Sequence, residues 1–237
     1  EETPVSFVLT RLRTRPTNRW RSDPEPALVR EIELPGARSF DPGITVRLHQ
    51  RASDDVLAEL LGITGPRADR RLTGAAAAAG WAAADGDPTT AWTPPFARAV
   101  GATLELRSDT ELTSFTLTQP GGEHSPITSL RLQHGDITVD VAVPPPDVDG
   151  TSTVTLPTPL PAGDLTLTIT AVEPRITLDR RYGEPVEHPA AISELSIGPR
   201  ATVPERIDTG CRDDLLSVDG TPLPVRVTGT LADALAG

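Results

Sequence analysis

The chain has 237 residues and a net charge of −11, and its 22 basic groups are all arginine. A binder of phosphate chains or of an anionic bilayer needs a basic field, so this charge argues against nucleic acid and a membrane surface as partners. No window reaches the ~20 apolar residues that span a bilayer. In chain order, residues 5–12, 27–34 and 43–49 read as strands, with short runs of valine, leucine and isoleucine between turn signals. A helix follows at 54–61. Ser53 is its N-cap, Asp54 and Asp55 suit its positive end, and Gly62 stands where a C′ glycine belongs. Val56, Leu57, Leu60 and Leu61 form its apolar stripe. The alanine run 75–79 sits between Gly74 and Gly80 and supports a turn or two of helix.

Strands are then expected at 102–107, 112–118, 128–133, 136–143, 152–156, 164–172, 192–197 and 223–229, with a weak helix at 231–236. Leu165, Leu167 and Ile169 alternate strictly with threonine, which puts them on one face. The 25 prolines, about twice the average usage, punctuate the strands. Many short strands of this kind predict an all-β sandwich. Polar, turn-rich stretches near 65–71 and 198–204 bound a central block, 66–200. The flanks 1–65 and 201–237 are each too short for a core of their own. They are expected to supply strands of a second, possibly discontinuous, β-rich domain. Cys211 is the only cysteine, either a buried thiol or half of a bridge made outside this chain. A start on Glu1 reads as a piece of something longer.

The motif with most chemical content is AAADGDPTTAW, residues 82–92. Calcium takes six to eight oxygens from carboxylates, carbonyls and hydroxyls. A tight turn can aim Asp85, Asp87 and Thr90 at one point, with Gly86 allowing positive φ and Pro88 stiffening the bend. The twelve-residue ladder of an EF-hand is absent. Asp-Gly-Asp is equally an ordinary surface turn.

Residues 84–92 together with Ile192-Ser193-Glu194-Leu195 resemble the discoidin, or coagulation factor 5/8 type C, family. Carbohydrate-binding modules of family 32 are part of that group. Its signature, alanine and then Asp-Gly-(Asp/Asn)-x-x-Thr-x-Trp, is matched from Ala84 to Trp92, and its closing Ile-x-Glu-(Leu/Ile) strand is matched at 192–195. The resemblance implies a jelly-roll sandwich of the galactose-binding type. It also implies a structural calcium held by Asp85, Asp87, Thr90 and Glu194, and a sugar site on loops at one end.

Candidates for that sugar site are Trp81, Phe96 and Tyr182 for stacking, with Arg98, His124, Arg180 and Arg181 for hydroxyls; Trp92 and Phe115 belong to the core. The polar stretch 173–189 has the length and character of a functional loop. Each candidate taken singly also reads as a surface or packing residue. The lone asparagine, Asn18, lies outside the block, a departure from the family pattern. Arginines 11, 13 and 15 alternate and either grip an anion or pair with Glu25, Glu31 and Glu33.

No nucleophile elbow, metalloprotease helix or phosphate loop is present, and His49, His124, His134 and His188 lack metal-ligand spacing. Segments 25–43 and 211–229 are similar to stretches of the large membrane-bound arabinofuranosyltransferases of mycobacteria. That resemblance implies a non-catalytic module on the periplasmic side of a larger glycosyltransferase, holding arabinan or an arabinogalactan-like glycan for a catalytic centre elsewhere. The partners would be the polysaccharide and the rest of the parent membrane enzyme, without insertion of this segment into the bilayer. The alternatives are a structural spacer, or a protein- or lipid-binding discoidin module. The latter should display apolar spikes on its loops, and the sequence offers few.

Overall fold

The computed structural model describes residues 29–33, 36, 48, 52–179 and 182–236. The chain divides into two compact units, Glu1–Thr45 and Val46–Gly237. In the first unit, the described residues 29–33 and 36 are in neither helix nor strand. The expected strands at 5–12 and 43–49, and the arginines at 11, 13 and 15, lie outside the described residues apart from Leu48. The rest of this subsection concerns the second unit, where residues 46–65 and 201–237 share one unit with the central block.

Helix α1 (Asp54–Leu61) begins where Ser53 Oγ accepts the Val56 N–H at 3.4 Å, and it ends on Gly62 at φ 68°. The expected stripe is rotated: Leu57, Ala58 and Leu61 are buried, whereas Val56 is 54% exposed. The reason is Asp54, one helical turn before Leu57 and Ala58 on the same face. Its carboxylate accepts the N–H of Ala68 at 3.1 Å and of Gly80 at 2.7 Å. It also accepts Arg71 Nη1 at 2.6 Å. These bonds turn the Asp54 edge of the helix inward and leave Val56 outside.

The strands are β1 (Arg67–Ala68), β2 (Thr103–Ser108), β3 (Leu112–Thr118), β4 (Ile127–His134), β5 (Ile137–Ala142), β6 (Thr151–Leu160) and β7 (Gly163–Val172). They continue as β8 (Ile176–Leu178), β9 (Pro185–Glu187), β10 (Glu194–Leu195), β11 (Arg206–Arg212), β12 (Ser217–Val218), β13 (Thr221–Pro222) and β14 (Val225–Thr230), before helix α2 (Leu231–Ala236). A five-stranded sheet in the order β1-β2-β7-β4-β5 faces a three-stranded sheet in the order β10-β3-β6. Every pairing in both is antiparallel.

This is the all-β, jelly-roll sandwich expected from the strand rhythm. Its core is the set of inward alternates: Leu104, Leu130, Leu132, Leu165, Leu167 and Ile169 from one sheet meet Phe115, Leu117, Val154 and Leu160 from the other. Fully burying each such leucine, isoleucine or phenylalanine is worth about 1.5–3 kcal/mol. The outward alternates are threonine, serine, arginine and glutamate, which need no cover. Trp92 is wholly buried in this core and bridges Ile192.

Segments read as loop or left unassigned prove to be paired. β8 and β9 form a hairpin inside 173–189, and β11 pairs with β14 across a bulge between Asp208 and Cys211. Their alternation is weak because only one face, or none, is buried: along β11 only Ile207 is fully covered. A second core joins Leu57, Leu61 and Ile63 to Trp81, Ile207 and Leu231. The alanine run contributes one short 3-10 turn, 76–78, and Gly80–Ala83 forms a second, in which Gly80 permits close approach. A Cβ on Gly80 would stand 2.6 Å from the Ala68 nitrogen. Cys211 is exposed with a free thiol, so the buried-thiol reading does not hold.

Candidate cation turn and loop-end binding site

The acidic turn folds around its own side chains. Asp85 Oδ1 accepts the Asp87 N–H at 2.9 Å, and Asp85 Oδ2 accepts Thr90 Oγ1 at 2.7 Å. Asp87 Oδ1 accepts both the N–H and the hydroxyl of Thr89, at 2.9 and 2.6 Å. Those bonds hold the Asp87 carboxyl below the usual carboxylate range. Gly86 takes φ 81° to close the turn.

Glu194 reaches this turn from β10. Its Oε1 is buried without a hydrogen-bond partner. Burial foremost, then the charge of Asp85, pushes its carboxyl above the ordinary glutamate value; the Arg200 guanidinium and the Gly86 N–H pull the other way, and Asp87 adds a smaller push upward. Arg200 stands against the turn, since a Cβ on Gly86 would lie 2.4 Å from its Cζ. Gly86, Glu194 and Arg200 line a cleft of about 510 Å³.

An orphaned carboxylate oxygen, repelled by a second carboxylate and only partly offset by an arginine, is an environment that a hard cation would relieve. Asp85, Thr90 and Glu194 suit that role by donor chemistry. Both aspartates already accept hydrogen bonds within the turn, Asp85 through Oδ1 and Oδ2 and Asp87 through Oδ1. Among the described residues no three histidine, cysteine, aspartate or glutamate side chains form a ready-made metal cluster.

The antiparallel order brings the starts of β2, β4 and β6 and the ends of β3, β5 and β7 to one end of the sandwich, with the loops that join them. Ser125, fully buried, ties three of these segments together. Its N–H donates to Pro189 O at 2.9 Å, its hydroxyl to His188 O at 2.8 Å, and its Oγ accepts the Arg175 N–H at 3.1 Å. Arg175 Nη1 in turn donates to Gly122 O at 2.6 Å. The Ala97 N–H donates to Glu187 O, and Ala97 sits at φ 54°, a left-handed conformation that alanine rarely adopts. That kink lies between two candidates, Phe96 and Arg98, both of which are exposed. The Phe96 ring is 6.3 Å from that of His188, tilted by 37°. A half-open aromatic face edged by an imidazole, with a guanidinium two residues along, can pack an apolar ring face and bond its rim.

The structure thus brings Phe96, Arg98 and His124 to one end, although His124 Nδ1 is turned back to Gly121 O at 3.3 Å. Tyr182 lies further out, 63% exposed at the tip of the β8–β9 hairpin. Arg180 and Arg181 lie outside the described residues. Trp81 is a correction. It is 2% exposed, packed in the second core, so it cannot stack on a ligand.

A second correction concerns apolar spikes. Phe96, Val100, Val148, Ile176, Leu178 and Tyr182 are all exposed on these loops. The β8–β9 hairpin pairs with neither main sheet, and its Ile176 and Leu178 side chains are 61% and 62% exposed. His188, Ser125 and Arg175 were not singled out as site residues. The sequence signal for His188 and Arg175 was the polar length of 173–189; Ser125 lies outside it, in the loop 120–126.

The fold and this loop end define an antiparallel β-sandwich with a candidate ligand site at one pole. No family model matches the sequence, and no curated protein matches it. Among solved structures, the chain is similar in fold to the arabinofuranosyltransferase AftD from Mycobacteria, at 22% identity and a TM-score of 0.56 over 76% of this chain. A mutant of the same enzyme gives 23% and 0.57 over 78%. The chain spans only 15–16% of the length of those enzymes. It is also similar to the family 32 carbohydrate-binding module of C. perfringens NanJ in complex with galactose, at 18% identity and a TM-score of 0.38, over 59% of this chain and 93% of that one. The arabinofuranosyltransferase likeness read from the sequence thus reappears as a likeness of fold.

Proposed function

We propose that this chain is a non-catalytic carbohydrate-binding module of a larger glycosyltransferase, holding a cell-wall polysaccharide of the arabinan or arabinogalactan type at the loop end. The observation that carries this reading is Phe96, an exposed ring beside His188, whose carbonyl is held by the buried Ser125 and whose neighbour Glu187 accepts the Ala97 N–H. A fold shared with part of an arabinofuranosyltransferase supports the parent enzyme, and with it an extracytoplasmic, periplasmic location. No helix among the described residues is long and apolar enough to cross a membrane. A structural calcium would be held by Asp85, Thr90 and Glu194, with the Asp87 backbone or carboxylate beside them, and would supply positive charge beside Glu194 Oε1, which is buried without a hydrogen-bond partner.

The test is calorimetric titration of the chain with linear arabinofuranose and galactofuranose oligosaccharides. Binding that Phe96→Ala removes supports the module. No heat with any of them, on a folded protein, supports a structural spacer. A second reading, docking onto a protein or lipid surface, is favoured by the exposed Val148, Ile176 and Leu178 on the same loops. Binding to vesicles or to the parent enzyme that survives Phe96→Ala and not Leu178→Ser would support it.

A further inference from the structure

Away from the loop-end site, and adjoining the acidic-turn cleft through Pro199, which lines both, lies a second concave surface. A cleft of about 660 Å³ opens on the outer face of the five-stranded sheet, near the ends of β2 and β4. Its floor is made by three neighbouring strands, β2, β7 and β4, whose paired residues run Glu105 to Thr166 to Gln133 across the sheet. Strands lie about 4.8 Å apart, so these groups repeat at roughly the length of one sugar unit.

The walls are built. On one side the 197–199 segment rides so closely on β2 that a Cβ on Gly198 would stand 1.8 Å from Arg107 O. Only a residue without a side chain allows that approach, and Gly198 sits at φ 75°. On the other side the β4–β5 turn is pinned to β7, where His134 Nδ1 is 2.9 Å from Asp164 O.

The hydrogen-bonding groups within are accessible and weakly committed. Arg107 Nη1 bonds Asp164 Oδ1 at 2.9 Å, with the side chains 64% and 86% exposed. An exposed pair of this kind is held loosely and can exchange partners. Gln133 Nε2 donates to Gly135 O at 3.1 Å, which leaves its side-chain carbonyl available. Glu105 and the Thr166 hydroxyl project between them. One guanidinium stands against two carboxylates, so the lining repels an anionic ligand and offers donors and acceptors in balance.

We infer that this cleft is a second binding groove, for a neutral, linear, polyhydroxylated chain. Arg107, Gln133 and Thr166 bond successive hydroxyls across the three strands. It is distinct from the loop-end site in residues and position, and it does not depend on that reading. With no aromatic platform in the lining, its affinity for a single sugar is low and rises with chain length, as several weak contacts act together.

The experiment is an amide-shift titration of the 15N-labelled 237-residue chain with a linear arabinofuranose hexasaccharide, a linear galactofuranose hexasaccharide and a hexagalacturonate as the anionic control. It is run on the parent, on Phe96→Ala and on Arg107→Ala/Gln133→Ala. With one of the neutral hexasaccharides, shifts at Glu105, Gln133 and Thr166 are expected in the parent and in Phe96→Ala. In the double variant those shifts should weaken by about tenfold or more in apparent affinity, for two hydrogen-bonding groups lost. Absence of saturable shifts at those amides with both neutral chains overturns the groove, whatever happens near Phe96. So does equal or tighter binding of the galacturonate. Parent-like spectra for both variants away from the substituted sites establish that a lost response is not lost folding.

Discussion

Arg71 Nη1 donates to Asp54 Oδ1 at 2.6 Å with both side chains nearly sealed from solvent, 7% and 2% exposed. The same carboxylate takes the Ala68 and Gly80 N–H groups, and Arg71 Nη2 donates to Ala52 O. One residue of α1 therefore fastens the helix to the start of the sandwich. Removing one partner of a buried pair leaves the other charge uncompensated. Asp54→Ala should cost about 3–5 kcal/mol, and two backbone N–H groups are orphaned with it. Urea unfolding of the variant checks this. A change below 1 kcal/mol would mean that α1 is not anchored through Asp54.

Calcium at the acidic turn should raise the melting temperature of the parent and leave an Asp85→Ala/Glu194→Ala variant unmoved. At a hundredfold excess over Kd a ligand specific to the folded state adds about 2.7 kcal/mol. Thermal melts in EDTA and in calcium make the comparison. Equal midpoints for the parent in the two buffers remove the ion from the account.

Glu194 gives the pH test. Its carboxyl sits above the ordinary glutamate value of 4.5, chiefly through burial. The folded state thus keeps a proton that the unfolded state has already released. Its contribution is most favourable below pH 4.5 and is lost as pH rises through the folded value. In metal-free buffer Glu194→Gln should accordingly gain stability relative to the parent between pH 4 and pH 7, and it should lose any response to calcium. Melting temperatures at the two pH values decide, and a constant gap between the proteins rules out the shifted carboxyl.

Two aromatic residues offered as equivalent by the sequence should behave oppositely. Trp81→Ala is expected to cost about 3–5 kcal/mol, the usual range for a buried aromatic. Phe96→Ala should leave the melting temperature nearly unchanged while saccharide binding disappears. The pair of measurements, a melt and a titration on each variant, separates core from site.

What was legible in advance follows from how completely a segment is buried. β2 to β7 stood out because each has one face in the core, so its side chains alternate: Leu165, Leu167 and Ile169 are inward and their threonine neighbours outward. The α1 limits were readable from Ser53 and Gly62, which act locally. The β8–β9 hairpin and β11 were not, because neither has a face whose burial imposes a pattern. Val56 and Trp81 were misplaced for a different reason. Their positions depend on Asp54 reaching across 26 residues to Gly80, a contact that no local pattern encodes. The Phe96–His188 pair likewise joins two loops far apart in sequence, which the Ala97 N–H to Glu187 O bond brings together while Ser125 holds His188.

Thr64 and Thr202 pair with each other, N–H to carbonyl at 3.1 Å in both directions. The polypeptide thus sets out into the sandwich and comes home through one doorway barely a strand's width across. A host structure could carry such a loop as a bead hung on a closed clasp, with its own two strands left side by side. Cutting the bead away would take Arg71, Gly80 and Trp81 with it, so α1 and the second core would lose the partners that hold them to the clasp.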